Sequence, residues 1–254
     1  MSNHTLCKAK AQAGFTLVEL AIVMIIIGLL IAGVLKGQAL IANAKVTSTV
    51  AQIKSIDAAV STFKDTYNDI PGDMVTPGAR LPNCTQMCAN VGNGDQALAN
   101  APGATPIGGE GEAFFPQLAV ANLMTGIQPG ASSAVIGQNF PAAKIGTNGI
   151  QPGSTTTSPL TLAGAVGSLG TNGGLFLAIT PAIGALTNAS TGMLPNEAFR
   201  IDTKMDDGSP GTGDVVGIGT AGVAQGNCGA AGQGGQYATG FTSQSCGLYI
   251  HIQG

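Results

Sequence analysis

The sequence predicts an α+β fold, with one long N-terminal helix packed on a small antiparallel sheet that is joined by long Gly/Pro-rich loops. Three observations carry this expectation. Phe15 to Leu35 is an apolar run of 21 residues with a single charge, Glu19. At about 1.5 Å rise per residue it makes roughly 30 Å of helix, the thickness of a bilayer core. Beyond it, Val46, Val50, Ile53, Ile56, Val60, Phe63 and Tyr67 recur at steps of 4, 3, 3, 4, 3 and 4, the 3.5-residue spacing of a seam that packs on a neighbour. Segments that alternate with period two appear only towards the C-terminus. The chain therefore divides into a leader (residues 1–14), a transmembrane half (15–35) and an amphipathic half (36–70) of the first helix, and an extracytoplasmic loop-rich α/β head (71–254).

The leader carries Lys8 and Lys10 and no acid, which holds this end in the cytoplasm and sends the rest outward. Glu19 lies about a turn inside the apolar run, where a carboxylate costs about 2.5 to 3.5 kcal/mol on insertion scales. The string Gly14-Phe15-Thr16-Leu17-Val18-Glu19 resembles the processing motif of type IV prepilins and of the pseudopilins of type II secretion. The resemblance implies that a prepilin peptidase on the cytoplasmic side cuts after Gly14 and that Phe15 becomes the N-methylated first residue. It makes Glu19 the fifth residue of the mature chain, the glutamate that acts in filament assembly. A secretory signal peptide has a shorter apolar core, of about 7 to 15 residues, and no carboxylate near its start. A lipoprotein signal fails because Cys7 precedes the apolar run.

Composition narrows the function. Charged residues are 9% of the 254, and Gly accounts for 39. Of the ten Lys and Arg, two leave with the leader, so eight face thirteen Asp and Glu. No basic patch for nucleic acid is evident. Cys84, Cys88, Cys228 and Cys246 remain beyond the leader, and four cysteines in an exported domain predict two disulfides. Loop-closure entropy favours the local pairs, Cys84 with Cys88 and Cys228 with Cys246.

The first helix is expected to run to about Tyr67 and to stop at Asp69-Ile70-Pro71-Gly72. Residues 71–112 read as a long irregular connection. Glu112 to Met124 reads as a short helix with Pro116 in its first turn, and residues 125–172 as loop. Strands are expected at Gly174–Thr180, Ala198–Met205, Val215–Thr220 and Leu248–Ile252. Ile201 to Val215, IDTKMDDGSPGTGDV, is similar to a segment found in a subgroup of prepilins. That subgroup also shares the Pro71-Gly72-Asp73 helix exit and a late cysteine before an apolar strand, as in Cys246-Gly247-Leu248.

No catalytic set emerges, so no enzyme is expected. His251 is the one histidine beyond the leader, on an alternating strand, and the Gly229 to Gly235 run lacks the Lys-Ser/Thr of a phosphate loop. Asp202, Asp206, Asp207 and Asp214 are the candidate metal residues: four carboxylates on a Gly-rich turn, with Ca²⁺ as the ion they suit. Asp-Asp-Gly is also ordinary turn chemistry.

The resemblance thus implies a structural subunit of a type IV pilus or pilin-like filament. Its partners would be the prepilin peptidase, identical or related subunits, an inner-membrane assembly platform and the membrane itself. Before assembly it would sit in a bacterial inner membrane, and afterwards in the periplasm or in a surface filament. The alternatives are a pseudopilin of a type II secretion system and a membrane-anchored periplasmic binding module or enzyme.

Overall fold

In the computed structural model the described residues are 14, 16–99, 109–155, 174–184, 192–219, 228–229 and 235–252. The leader up to Ala13, Phe15, Thr220 and most of the Gly229–Gly235 run lie outside them. The chain forms two compact units, Met1–Asn43 and Ala44–Gly254.

In the first unit, helix α1 (Leu17–Tyr67, 51 residues) begins its course. Its side chains are apolar on every side and exposed, with Leu17 at 87% and Met24 and Leu29 at 70%. A helix apolar all round has no solvent face, which fits a lipid environment. Among the described residues it is the one helix long and apolar enough to cross a membrane.

In the second unit the same helix becomes amphipathic, as the seam predicts. Val46, Val50, Ile53, Ile56, Val60 and Phe63 are buried, each contributing about 1.5 to 3 kcal/mol of transfer free energy. Lys45, Lys54, Lys64 and Asp65 are exposed. The helix ends at Tyr67 because Asn68 turns left-handed (φ 51°) while its N–H bonds the Lys64 carbonyl at 2.7 Å, an αL cap. Arg80 closes that end from outside. Its guanidinium pairs with Asp69 at 2.9 Å, donates to the Tyr67 carbonyl and lies over the Tyr67 ring, a cation placed at the negative end of the helix.

The sheet has four antiparallel strands in the order β1-β2-β4-β3: β1 (Gly149–Thr155), β2 (Gly174–Thr180), β3 (Val215–Ile218) and β4 (Gly247–Ile252). Leu175, Leu177, Ile179, Leu248, Ile250, Ile252 and Val215 join the main core with the α1 seam. Phe176, Ala178, Val216, Ile218 and Tyr249 form a second buried cluster, placed on the opposite face by the period of two. Burial of both faces is why β2 reads as an unbroken apolar run instead of an alternating one.

Two expectations are corrected. Ala198–Met205 is not a strand: it lies in helix α4 (Pro195–Met205). Pro195 sits in its first turn and the Glu197 carboxylate accepts the Leu194 N–H at 3.0 Å, so the helix start is preset. Ala198, Ile201 and Asp202 are buried, a helical spacing that coexists with the alternation of the same residues. Residues 125–172 are not all loop, since β1 falls among them. Its Pro152, opposite Leu177, is tolerated because β1 is an edge strand.

The remaining helices are short. Helix α2 covers Pro77–Arg80, a 3₁₀ turn covers Gln86–Ala89, and helix α3 runs over Glu110–Val120. Helix α3 starts two residues earlier than expected, so Pro116 is its seventh residue and lies beyond the first turn.

One carboxylate fastens the connection between α1 and α3. Asp73 is fully buried and accepts the backbone N–H groups of Asn93 (3.1 Å), Gly94 (2.7 Å) and Gln96 (2.7 Å). Glu110 accepts the N–H of Asn93 at 3.2 Å and of Ala99 at 2.5 Å. The crossing is so close that a Cβ on Gly92 would lie 2.2 Å from the Asp73 carbonyl carbon, and one on Gly72 (φ +93°) 2.3 Å from the Glu110 carbonyl oxygen. Only glycine fits at either position.

Removing the Asp73 carboxylate strands the Gln96 N–H and leaves those of Asn93 and Gly94 only their longer bonds, to Glu110 and to the Asp73 carbonyl, each at 3.2 Å. Asp73→Ala should cost about 2 kcal/mol or more, whereas Asp95→Ala, at an exposed position of the same loop, should cost under about 1 kcal/mol. Urea unfolding of the detergent-solubilised chain with its disulfides intact measures both. Equal losses would show that the buried carboxylate is not what holds this loop.

Candidate functional site

The N-terminal end of α1 is built by a reciprocal pair of side chains. Thr16 is the last residue before the helix, and Glu19 is the third within it. The Thr16 backbone N–H donates to Glu19 Oε2 at 2.9 Å, and the Thr16 hydroxyl donates to the same oxygen at 3.0 Å. The Glu19 N–H donates in return to Thr16 Oγ1 at 3.3 Å. This is a capping box, which satisfies orphan donors of the first turn and places a carboxylate at the positive end of the helix dipole. Glu19 is thus held at the helix start by its own chain. Gly14 is exposed, and no atom lies within 4 Å of where its Cβ would stand. The fold itself therefore sets no requirement for glycine there.

The cysteines form two local bridges. Cys84 pairs with Cys88 (Cα–Cα 5.2 Å) and Cys228 with Cys246 (Cα–Cα 4.8 Å). The first staples the segment between α2 and the 3₁₀ turn. The second ties Cys228 to the residue before β4, where Cys246 also bridges Met193 through backbone hydrogen bonds.

The acidic turn after α4 brings Asp202, Asp206 and Asp207 together, with one oxygen of each within 4.8 Å of the others. Asp214 does not join them; its carboxylate lies 3.3 Å from His251 Nδ1. The three carboxylates are already engaged. Asp202 accepts the Tyr237 hydroxyl at 2.7 Å and the Gly208 N–H at 3.0 Å. Asp206 accepts the N–H groups of Asp214 and Val215, and Asp207 accepts those of Ser209 and the Thr212 hydroxyl. A Ca²⁺ ion here would have to compete with these donors, so the donor set fits a self-satisfied turn better than a cation cage.

Sequence reading missed Thr16, Asp73 and Tyr237. The Thr16-x-x-Glu19 spacing before an apolar run is itself the signature of a capping box. No local signal points to Tyr237, which meets Asp202 across 35 residues.

Burial pushes the Asp202 carboxyl up to about 6 from its ordinary 3.8, the hydrogen bonds from Tyr237 and Gly208 only partly opposing it. The folded state then holds this proton more tightly than the unfolded chain. Stability contributed by the protonated form is present below about pH 4 and is lost as pH rises to about 6, a swing of at most about 3 kcal/mol. Asp69, Glu110 and Glu112 are raised in the same direction, in each case chiefly by burial. Asp202→Asn should therefore flatten, without abolishing, the fall in Tm between pH 4 and pH 6.5. An unchanged slope in the variant would remove Asp202 as its source.

A family model described as the prokaryotic N-terminal methylation motif matches residues 9–35. No curated protein and no solved structure matches the chain. The matched residues contain Gly14, Thr16 and Glu19 in the geometry above and the start of the apolar helix. The motif implies N-terminal processing of the prepilin type and, with the exposed apolar helix, fits a membrane-anchored precursor. Within residues 9–35 the chain is thus similar to the N-terminal segment of type IV prepilin-like proteins, pilins and pseudopilins alike.

Proposed function

We propose that the chain is a non-enzymatic subunit of a type IV pilus or pilin-like filament, stored in a bacterial inner membrane and extracted from it after processing. The observation that carries this reading is the processing motif joined to a glutamate at the head of an exposed apolar helix, which continues as the packed seam of the head. In a filament the apolar segments bundle as its core, and each head is carried outward on the second half of its helix. The assembly platform delivers subunits that are identical or related to this one. A pseudopilin of a type II secretion system uses the same motif and helix. Neighbouring genes for a retraction motor or for a secretion channel separate the two machines.

Processing is tested by intact mass. The membrane-extracted protein should begin at N-methylated Phe15. Gly14→Ala should retain the leader while leaving the fold unchanged, since the added methyl meets no atom of the chain. A wild-type mass that still includes residues 1–14 would reject the reading.

Glu19 is the second test. In a bundle of apolar helices an unpaired carboxylate is far more costly than near the membrane surface, and the cationic amine of Phe15 on an incoming subunit is the natural partner. Glu19→Val should leave membrane insertion and processing intact and reduce incorporation into sheared filaments at least tenfold. Glu19→Gln keeps the capping hydrogen bonds but loses the charge, so it should also fail to assemble if charge pairing is what counts. Normal incorporation of both variants would end the registry role.

A further inference from the structure

The turn that gathers Asp202, Asp206 and Asp207 also borders a cavity of about 310 Å³, lined by Phe199, Gly208, Gln236, Tyr237 and Thr239. Two aromatic rings form its apolar part, with centroids 6.0 Å apart and planes inclined at 60°. The rings are held differently. Tyr237 is buried, with its hydroxyl fixed on the Asp202 carboxylate and a ring edge against Gly217, where a Cβ would come within 3.4 Å of Cε1. Phe199 is 38% exposed, a large apolar side chain on the polar side of α4. Gly208, at φ +77°, packs closely beside the Phe199 ring: a Cβ there would stand 2.8 Å from Thr203 Oγ1 and 3.3 Å from that ring.

The segment that borders the cavity is net negative. From Pro195 to Asp214 there are five carboxylates and two cations, Arg200 and Lys204, and the Lys204 ammonium is directed to the Thr47 hydroxyl at 3.4 Å. Burial first, and then the charges of Asp202, Asp207 and Asp206, push the Tyr237 phenol well above the usual range. A phenol that donates to a carboxylate has an electron-richer ring, and aromatic faces under a negative field attract cations. The open mouth adds the amide of Gln236 and the hydroxyl of Thr239, a pattern of few polar groups on an aromatic wall that suits a small ligand.

We propose that the cavity lined by Phe199 and Tyr237 is a binding site for a small organic cation, an alkylated ammonium group received on the exposed Phe199 ring beside the acidic turn. The site lies wholly on the head, and its operation does not depend on processing or assembly.

The test uses the full chain in a non-ionic maltoside detergent, with choline chloride as the probe and its uncharged carbon isostere, 3,3-dimethylbutan-1-ol, as the control. Calorimetry or ligand-observed NMR should show saturable choline binding in the millimolar range and at least tenfold weaker binding of the isostere. Phe199→Leu keeps apolar bulk at an exposed position but removes the π face, and should weaken choline binding about tenfold, near the upper end of what one cation–π contact supplies. The melting temperature of that variant, compared with wild type, verifies that the fold is retained. Equal binding of choline and isostere, unchanged binding by a folded Phe199→Leu variant, or no saturable binding of choline at all would each overturn the proposal.

Discussion

The structure of the head depends on one buried stripe of a helix. From Val46 to Phe63 the side chains of α1 that face the sheet are buried almost completely, and Leu175, Leu177, Ile179, Leu248, Ile250 and Ile252 meet them in the same core. Because side chains alternate along a strand, slipping β2 by one residue would replace its Leu175, Leu177 and Ile179 on this face with Phe176 and Ala178. The stripe thus dictates strand register as well as helix rotation. It also explains why the helix changes character along its length. The residues before Lys36 carry no polar face, whereas those after Lys45 have one stripe to bury and a charged back to leave in water.

What was legible in the sequence is what is local and periodic. The seam needed only a spacing of 3.5, β2 a short apolar run, β4 a short alternating one, and the disulfides needed only short separations. Segment 195–205 failed because Phe199, Ile201, Thr203 and Met205 fit a period of two while Ala198, Ile201 and Asp202 fit a helix, and the alternation was the louder pattern. Pro195 and Glu197 were the arbiters, since a first-turn proline and an acid two residues later describe a helix start. Strand β1 was hidden because Gly149, Pro152 and Gly153 have poor strand propensity, and its pairing with β2 supplies what propensity lacks. Asp73 and Tyr237 were beyond reach, because each acts on partners more than fifteen residues away.

Thr16 and Glu19 were legible in a second sense. The resemblance to a prepilin motif assigned Glu19 to a partner subunit, while the structure gives its carboxylate two donors from Thr16. The two uses are compatible in sequence of time. A carboxylate that caps its own helix enters an apolar phase with part of its hydrogen-bonding capacity filled, which lowers the cost of holding it there. It still carries its charge, and it accepts through one oxygen in the described bonds. In the proposed filament the incoming amine therefore adds to a preorganised acceptor instead of ordering a free side chain, so less conformational entropy is lost on docking.

The head solves the opposite problem, since glycine-rich loops lose the most entropy on folding and bring few side chains to bury. With charged residues at 9% of the chain, its carboxylates are spent largely on this. Asp73 gathers the loop around Asn93 to Gln96, Glu110 holds Ala99, Asp206 holds Asp214 and Val215, and Asp202 anchors Gly208 and Tyr237. A single carboxylate accepting two or three N–H groups fixes several residues at once, and hydrogen bonds to a charged acceptor are about twice as strong as neutral ones. The two disulfides act on the same kind of segment from the unfolded side, by removing chain entropy that the loops would otherwise lose on folding. This division of labour leaves the apolar side chains for the seam and the sheet. It also explains why the acidic cluster at Asp202 to Asp207 is first of all a knot in the fold.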